Sequence, residues 1–306
     1  MRTPMSTVGL MVGFVICWSS GFIGSRLASD APMAALDLFT WRFLLATAIA
    51  LTVCLACRVR GVSLYAVVLE MGVGALTMGG YLLGVLLAVD AGVSTGATAL
   101  ITAQQPLLAA AIATICLRER IGLLGWAGLA VAAGGVALCV VGDWRSAGGA
   151  AAWAYALPLL SVVSVTLGSV LASRFPSGLS MAPSLTAQLG AASLVFLAAA
   201  GIGGDLSWPT GMTLADTKTL GWLVVLSSFG GYGFFTACLR RVGLTTVSSA
   251  IFLTPPVTLL WAMWMFGEPV AMLQMGGIAL AMLGVAASLL ARNPETRHQI
   301  QDAVTP

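Results

Sequence analysis

Charge is what this 306-residue chain has least of: Asp, Glu, Lys and Arg make up 8% of it, against 59% hydrophobic residues. An average soluble domain carries roughly three times that charge fraction. With a mean hydropathy of +0.99, the composition is that of a membrane protein and excludes a disordered one. Fourteen Lys and Arg against eleven Asp and Glu leave a formal charge of +3, too sparse to track a phosphate backbone, so no nucleic acid partner is expected. Histidine is nearly absent. The single one, His298 in a polar tail, rules out Ser/His catalysis and His-ligated metal sites. No catalytic site, metal or cofactor is implied, and an enzyme is not expected. The six cysteines (Cys17, Cys54, Cys57, Cys116, Cys139, Cys238) lie within or at the ends of apolar runs and read as free thiols.

What is abundant is apolar length. Taking stretches of about 17 to 25 residues as spanning helices, the sequence predicts ten, at 7–24, 35–56, 65–87, 94–116, 123–141, 151–171, 184–200, 220–239, 246–266 and 272–290. The first resembles a signal-peptide core but lacks a convincing cleavage site, and it is expected to be a retained helix. With a cytoplasmic N-terminus, the inner segments hold Arg2, Arg58, Arg60, Arg118, Arg120, Arg174, Arg240, Arg241, Arg292 and Arg297, and the outer loops only Arg26, Arg145 and Lys218. Lys and Arg stay inside, so both termini are expected in the cytoplasm.

The chain also repeats itself. An offset of 149 positions brings Val93, Pro106 and Glu119 onto Val242, Pro255 and Glu268, and Gly128, Ala132 and Gly135 onto Gly277, Ala281 and Gly284. Nearby offsets bring Gly79-Gly80-Tyr81 onto Gly230-Gly231-Tyr232 and Ser25-Arg26 onto Ser173-Arg174. An odd number of helices per copy inverts the second copy relative to the first. The expected fold class is therefore an all-α membrane protein of two inverted five-helix repeats, 1–148 and 149–306, the second ending in a short polar tail. Such inversion belongs mainly to secondary transporters.

These residues resemble the drug/metabolite transporter superfamily, within it the EamA family. The resemblance rests on Trp18-Ser19-Ser20-Gly21-Phe22, Pro32 followed by Arg42, Gly80-Tyr81, Gln105-Pro106 followed by Arg118-Glu119-Arg120, and the echo of these in Pro255-Pro256 and Phe266-Gly267-Glu268. It extends to the YddG-type aromatic amino acid exporters. It implies export of small metabolites, amino acids above all, across the cell inner membrane by alternating access. Arg42 would align with Gly190, leaving Gln188 as the nearest polar group of the seventh helix.

Several residues carry the functional reading, each beside a structural one. Arg42 lies about 10 Å into the second predicted helix, deep enough for its charge to mark function by default. Asp37, five residues before it, is off its helical face, so a structural partner, a substrate carboxylate and snorkelling all stay open. Glu70 reads either as an interfacial carboxylate or, like Asp37, as a proton-coupling group. Glu119 and Glu268 read as repeat-related helix caps. Pro106, Pro255 and Pro256 fall inside predicted helices, where each removes a backbone bond and frees a carbonyl near Thr102, Ile251 or Phe252. Matching breaks point to a transport site, with a remote packing kink as the alternative.

Around the breaks lie Gln104, Gln105, Ser161, Ser164, Thr166, Thr254 and Trp261, with Trp18, Tyr81 and Tyr232 as aromatic candidates. Together they could satisfy an amino and a carboxylate group while rings cover an apolar side chain; singly, each also reads as helix packing. Trp144, Trp153, Trp208 and Trp222 read as interface anchors. The alternative cargo, drugs or lipophilic cations, would call for an acidic residue deep in the cavity. The expected partners are a small-molecule substrate, the lipid bilayer and, by way of Glu70 or Asp37, protons.

Overall fold

A computed structural model describes residues 5–59, 61–105, 108, 123–146, 150–203, 211–235, 237–238, 250–268 and 270–290, and among these there is no strand. The helices are α1 (Met5–Ser29), α2 (Ala35–Ala56), α3 (Leu64–Asp90), α4 (Thr95–Thr102), α5 (Leu123–Ser146), α6 (Ala156–Arg174), α7 (Met181–Gly203), α8 (Leu214–Trp222, continuing as a π-helical segment), α9 (Thr254–Phe266) and α10 (Met272–Leu290). Six helical stretches among the described residues are long and apolar enough to cross a membrane: Val8–Ser29, Ala35–Ala56, Leu64–Asp90, Leu123–Arg145, Ala152–Ala172 and Met181–Ile202. The protein is a multi-pass, all-helical membrane protein.

Helix ends follow local chemistry. Ser94 accepts the Ala97 amide to start α4, and Thr213 and Asp216 form a reciprocal capping box at α8, each satisfying amides the first turn leaves free. Gly267, at φ 65°, ends α9 in the left-handed conformation that glycine adopts without steric cost.

The two halves share their irregularities as well as their helices. A π-helical segment, Ala75–Gly80 in α3 and Leu223–Gly231 after α8, closes in each half on Gly-Gly immediately before Tyr81 or Tyr232. Such segments occur frequently at functional sites. The fourth helix of the first half gives way to a turn at Ala103 and Gln104, and its counterpart gives way at Phe252 and Leu253, 149 positions on.

The prolines sit differently from the expectation. Pro255 and Pro256 occupy the first turn of α9, not a helix interior, where a missing amide is tolerated because it would have no intrahelical partner. The break comes ahead of them, at Phe252 and Leu253, because Pro255 and Pro256 have no amide to offer the Ile251 and Phe252 carbonyls. The Ile251 carbonyl is not left unpaired: Thr254 Oγ1 donates to it at 2.7 Å. Pro106 and Glu119 lie outside the described residues.

Small residues set the packing. A Cβ on Gly135 would meet Ala281 N at 2.3 Å and Gly277 O at 2.6 Å, and one on Gly284 would meet Ala132 N at 2.4 Å and Gly128 O at 2.7 Å. Along α5 the partners in α10 fall in number, from Gly284 beside Gly128 to Gln274 beside Gly142, so the pair is antiparallel. The second helices do likewise: Thr40 Oγ1 donates to the Phe196 carbonyl, Thr47 meets Ser193 and Cys54 meets Thr186. Without a hydrophobic drive between helices in lipid, close backbone approach and interhelical hydrogen bonds supply the cohesion.

Candidate functional site

A cleft lies between α1, α3 and the π segment after α8, lined by Trp18, Gly21, Phe22, Tyr81, Leu82, Val85, Ser227 and Tyr232. Trp18 anchors it. Its ring centroid is 6.3 Å from Tyr81 and 5.5 Å, edge-on, from Tyr232, within the range where aromatic rings attract through their quadrupoles. Phe14 and Phe235 support the far side of the indole at 5.5 and 5.4 Å. The two tyrosines come from the position after the π segment in each half, so one feature of the repeat contributes twice to one wall. The Tyr232 hydroxyl donates to the Thr77 carbonyl in the opposite π segment at 3.4 Å.

Arg42 is wholly buried on α2 behind this wall. Its Nε donates to Ser228 Oγ and its Nη2 to Ser227 Oγ, both at 2.8 Å. Its guanidinium lies 5.0 Å from the Phe39 ring centroid and 4.8 Å from that of Phe43, a cation–π arrangement that partly replaces lost hydration. Nη1 has no hydrogen-bond partner among the described residues. The ion pair found among those residues is Arg26 with Asp30, at 3.0 Å on the surface. Arg42 therefore reaches the cleft through Ser227.

The other expected residues divide. Trp18, Tyr81 and Tyr232 converge on the cleft. Gln104 donates to the Leu100 carbonyl, and its buried Oε1 has no partner among the described residues; Gln105 donates to Ser169 of α6 at 3.1 Å. Ser161 and Ser164 face α3, Ser164 donating to the Leu76 carbonyl at 2.8 Å and Ser161 filling the space beside Gly84. They serve packing between halves. Trp261 stacks edge-on with Trp222 at 5.5 Å and does not line the cleft. Trp222, expected at the interface, donates instead to the Ser20 carbonyl at 3.0 Å, whereas Trp144 and Trp153 are exposed.

Glu70 accepts from Ser177, and from Gln188 Nε2 at 2.6 Å, joining the start of α3 to α7. It lies eleven residues before Tyr81, about 16 Å along the helix. Asp37 is buried near the start of α2. Glu268 accepts from Thr95 Oγ1, the first residue of α4, at 2.9 Å, a cap across the halves.

Sequence reasoning missed Ser227 and Ser228. The signal was present as two adjacent hydroxyls in an apolar run just before Phe229-Gly230-Gly231-Tyr232. What was missing was the partner on α2.

Helices of membrane-crossing length packed around an aromatic-lined cleft define a class, that of multi-pass membrane proteins. The EamA-like transporter family matches residues 5–141 and again residues 152–290. The chain belongs to this family; it is a transporter and not an enzyme. An uncharacterized transporter of Synechocystis sp. is 24% identical over 221 residues, 68% of this chain and 66% of that protein; the match thus spans just under two thirds of that relative's length. A solved crystal structure, 20% identical, aligns over 94% of this chain and 99% of its own with a TM-score of 0.59, a likeness of fold.

Proposed function

We propose that the protein exports small metabolites, amino acids with aromatic or other apolar side chains, across the cell inner membrane. Two five-helix halves, 1–148 and 149–306, rock against each other around the cleft, in the ten-span topology with both termini in the cytoplasm. The observation that carries this reading is the convergence of Tyr81 and Tyr232 on Trp18. Equivalent residues from both halves meet at one cavity, which is where inverted-repeat transporters bind cargo. The antiparallel pairing of α5 with α10, and of α2 with α7, supports the inversion. Arg42, Gln104, Gln105 and Thr254 surround the cleft more distantly, and the turns ahead of Pro106 and of Pro255 and Pro256 are the gating breaks.

Amino acids fit better than lipophilic cations. Among the described residues no acidic side chain lines the cleft, and the Arg42 guanidinium, which reaches it through Ser227, repels a cationic cargo. Asp37 and Glu70 are the carboxylates through which a proton gradient would act.

The test is uptake of labelled Phe, Trp, Met and Leu into proteoliposomes, with and without an imposed proton gradient, against protein-free vesicles. Mutual competition among the four is expected, with Trp18→Ala lowering flux at least tenfold through loss of the central ring. Absence of flux for all four, in protein verified as folded, rejects the amino acid assignment.

A further inference from the structure

Among the described residues, no anion bonds the cation beside the cleft. Arg42 is fully buried, yet among the described residues its polar partners are the Ser227 and Ser228 hydroxyls alone, and Nη1 has none. An uncompensated charge in so apolar a site is costly, and one placed beside a cavity draws a counter-charge into it.

The serines carry a second signal. Many hydroxyls elsewhere in these helices donate to the carbonyl four residues back, as Thr40 does to Leu36, Ser161 to Leu157, Ser169 to Val165 and Ser193 to Leu189, although the buried Thr98 and Thr258 hydroxyls have no partner among the described residues. Ser227 and Ser228 instead accept from Arg42, and among the described residues neither has an acceptor for its own proton. A hydroxyl that accepts from a cation is polarised into a better donor. Ser227 lines the cleft, so its proton is available to whatever occupies it.

We propose that Ser227 donates to a carboxylate of the transported molecule, with Arg42 acting through it as the positioning charge and Ser228 fixing the guanidinium. This rests on the reading of the cleft as the transport site and names the group that is recognised there. Trp18, Tyr81 and Tyr232 take the apolar body. Since no acid among the described residues lines the wall, an amino group on the cargo goes unread, and aromatic acids without one bind as well.

The experiment is calorimetric titration of the purified full chain with 3-phenylpropionate, its methyl ester and phenethylamine. The acid is expected to bind at least tenfold more tightly than either, as a hydrogen bond to a charged group implies. Ser227→Ala should bring the acid down to the ester's affinity while the ester stays within twofold, which also reports that the variant is folded. The inference is overturned if ester or amine matches the acid in the unaltered protein, if Ser227→Ala keeps the preference, or if no probe binds. Absent amino acid flux with the acid preference intact rejects the amino acid assignment alone. Equal transport of Phe and its methyl ester rejects the carboxylate donor alone.

Discussion

Gly135 and Gly284 occupy the same position of the two halves and meet the opposite helix in the same way. A Cβ added to either would meet the backbone nitrogen of an alanine of the opposite helix, Ala281 for Gly135 and Ala132 for Gly284, at 2.3 or 2.4 Å. The interface is thus reciprocal, and one helix pair ties the halves together along its length.

Because backbone is what each Cβ would strike, the helices must part to admit a methyl. Gly135→Ala and Gly284→Ala should each cost about 1–3 kcal/mol. Thermal unfolding in detergent should show a lowered midpoint for either, with the double variant losing less than the sum, since one separation relieves both clashes. Gly134→Ala is the control: its Cβ meets nothing within 4 Å, so the midpoint should hold or rise with the gain in helix propensity.

Arg42 separates stability from function. Replacing a buried charge by an apolar chain of similar length is often neutral or stabilising, so Arg42→Met should keep or raise the unfolding midpoint. Transport should nonetheless fall at least tenfold, because Ser227 loses the donor behind it. A variant that unfolds early and transports normally per folded molecule would contradict both expectations.

Asp216 gives a pH dependence of defined sign. Burial pushes its carboxyl up, but donation from the Thr213 side chain and amide and from the Met33 amide outweighs this and holds it below the usual carboxylate range. A depressed folded-state pKa contributes stability that is present above the unfolded value, about 3.9, and is lost as pH falls through the folded one. Unfolding midpoints measured from pH 7 down to pH 3 should therefore drop, and the drop should be smaller in Asp216→Asn, which starts less stable by about 1–3 kcal/mol.

Glu70 bridges halves at a distance from the cleft. Glu70→Ala should lower the unfolding midpoint, because it strands the donors of Ser177 and Gln188, while leaving gradient-free exchange of substrate unchanged. If an imposed proton gradient drives uptake, Glu70→Gln should abolish that response alone; a response that survives assigns the coupling to Asp37.

Much of the architecture could be read from residue order. The Gly-Gly-Tyr triplets, the Pro anchors and the glycine spacing of α5 and α10 announced the duplication, because lipid demands small residues wherever helices touch. The aromatic trio was legible for a related reason: Trp18, Tyr81 and Tyr232 stand out in an apolar chain. Ser161, Ser164 and Trp261 could not be sorted between cavity and packing in advance, since a hydroxyl or an indole within a membrane helix looks alike whether it faces a cavity or a neighbouring backbone.

By itself the sequence determined a membrane-embedded, all-helical chain with a repeated half, through composition and periodicity, which are properties of the chain taken locally. The tertiary structure decided which polar groups meet. Arg42 and Ser227 are 185 positions apart, and neither carries a mark of the other. Their pairing follows from α2 and the segment after α8 being packed side by side, where burial leaves a guanidinium no water and two hydroxyls become its nearest acceptors.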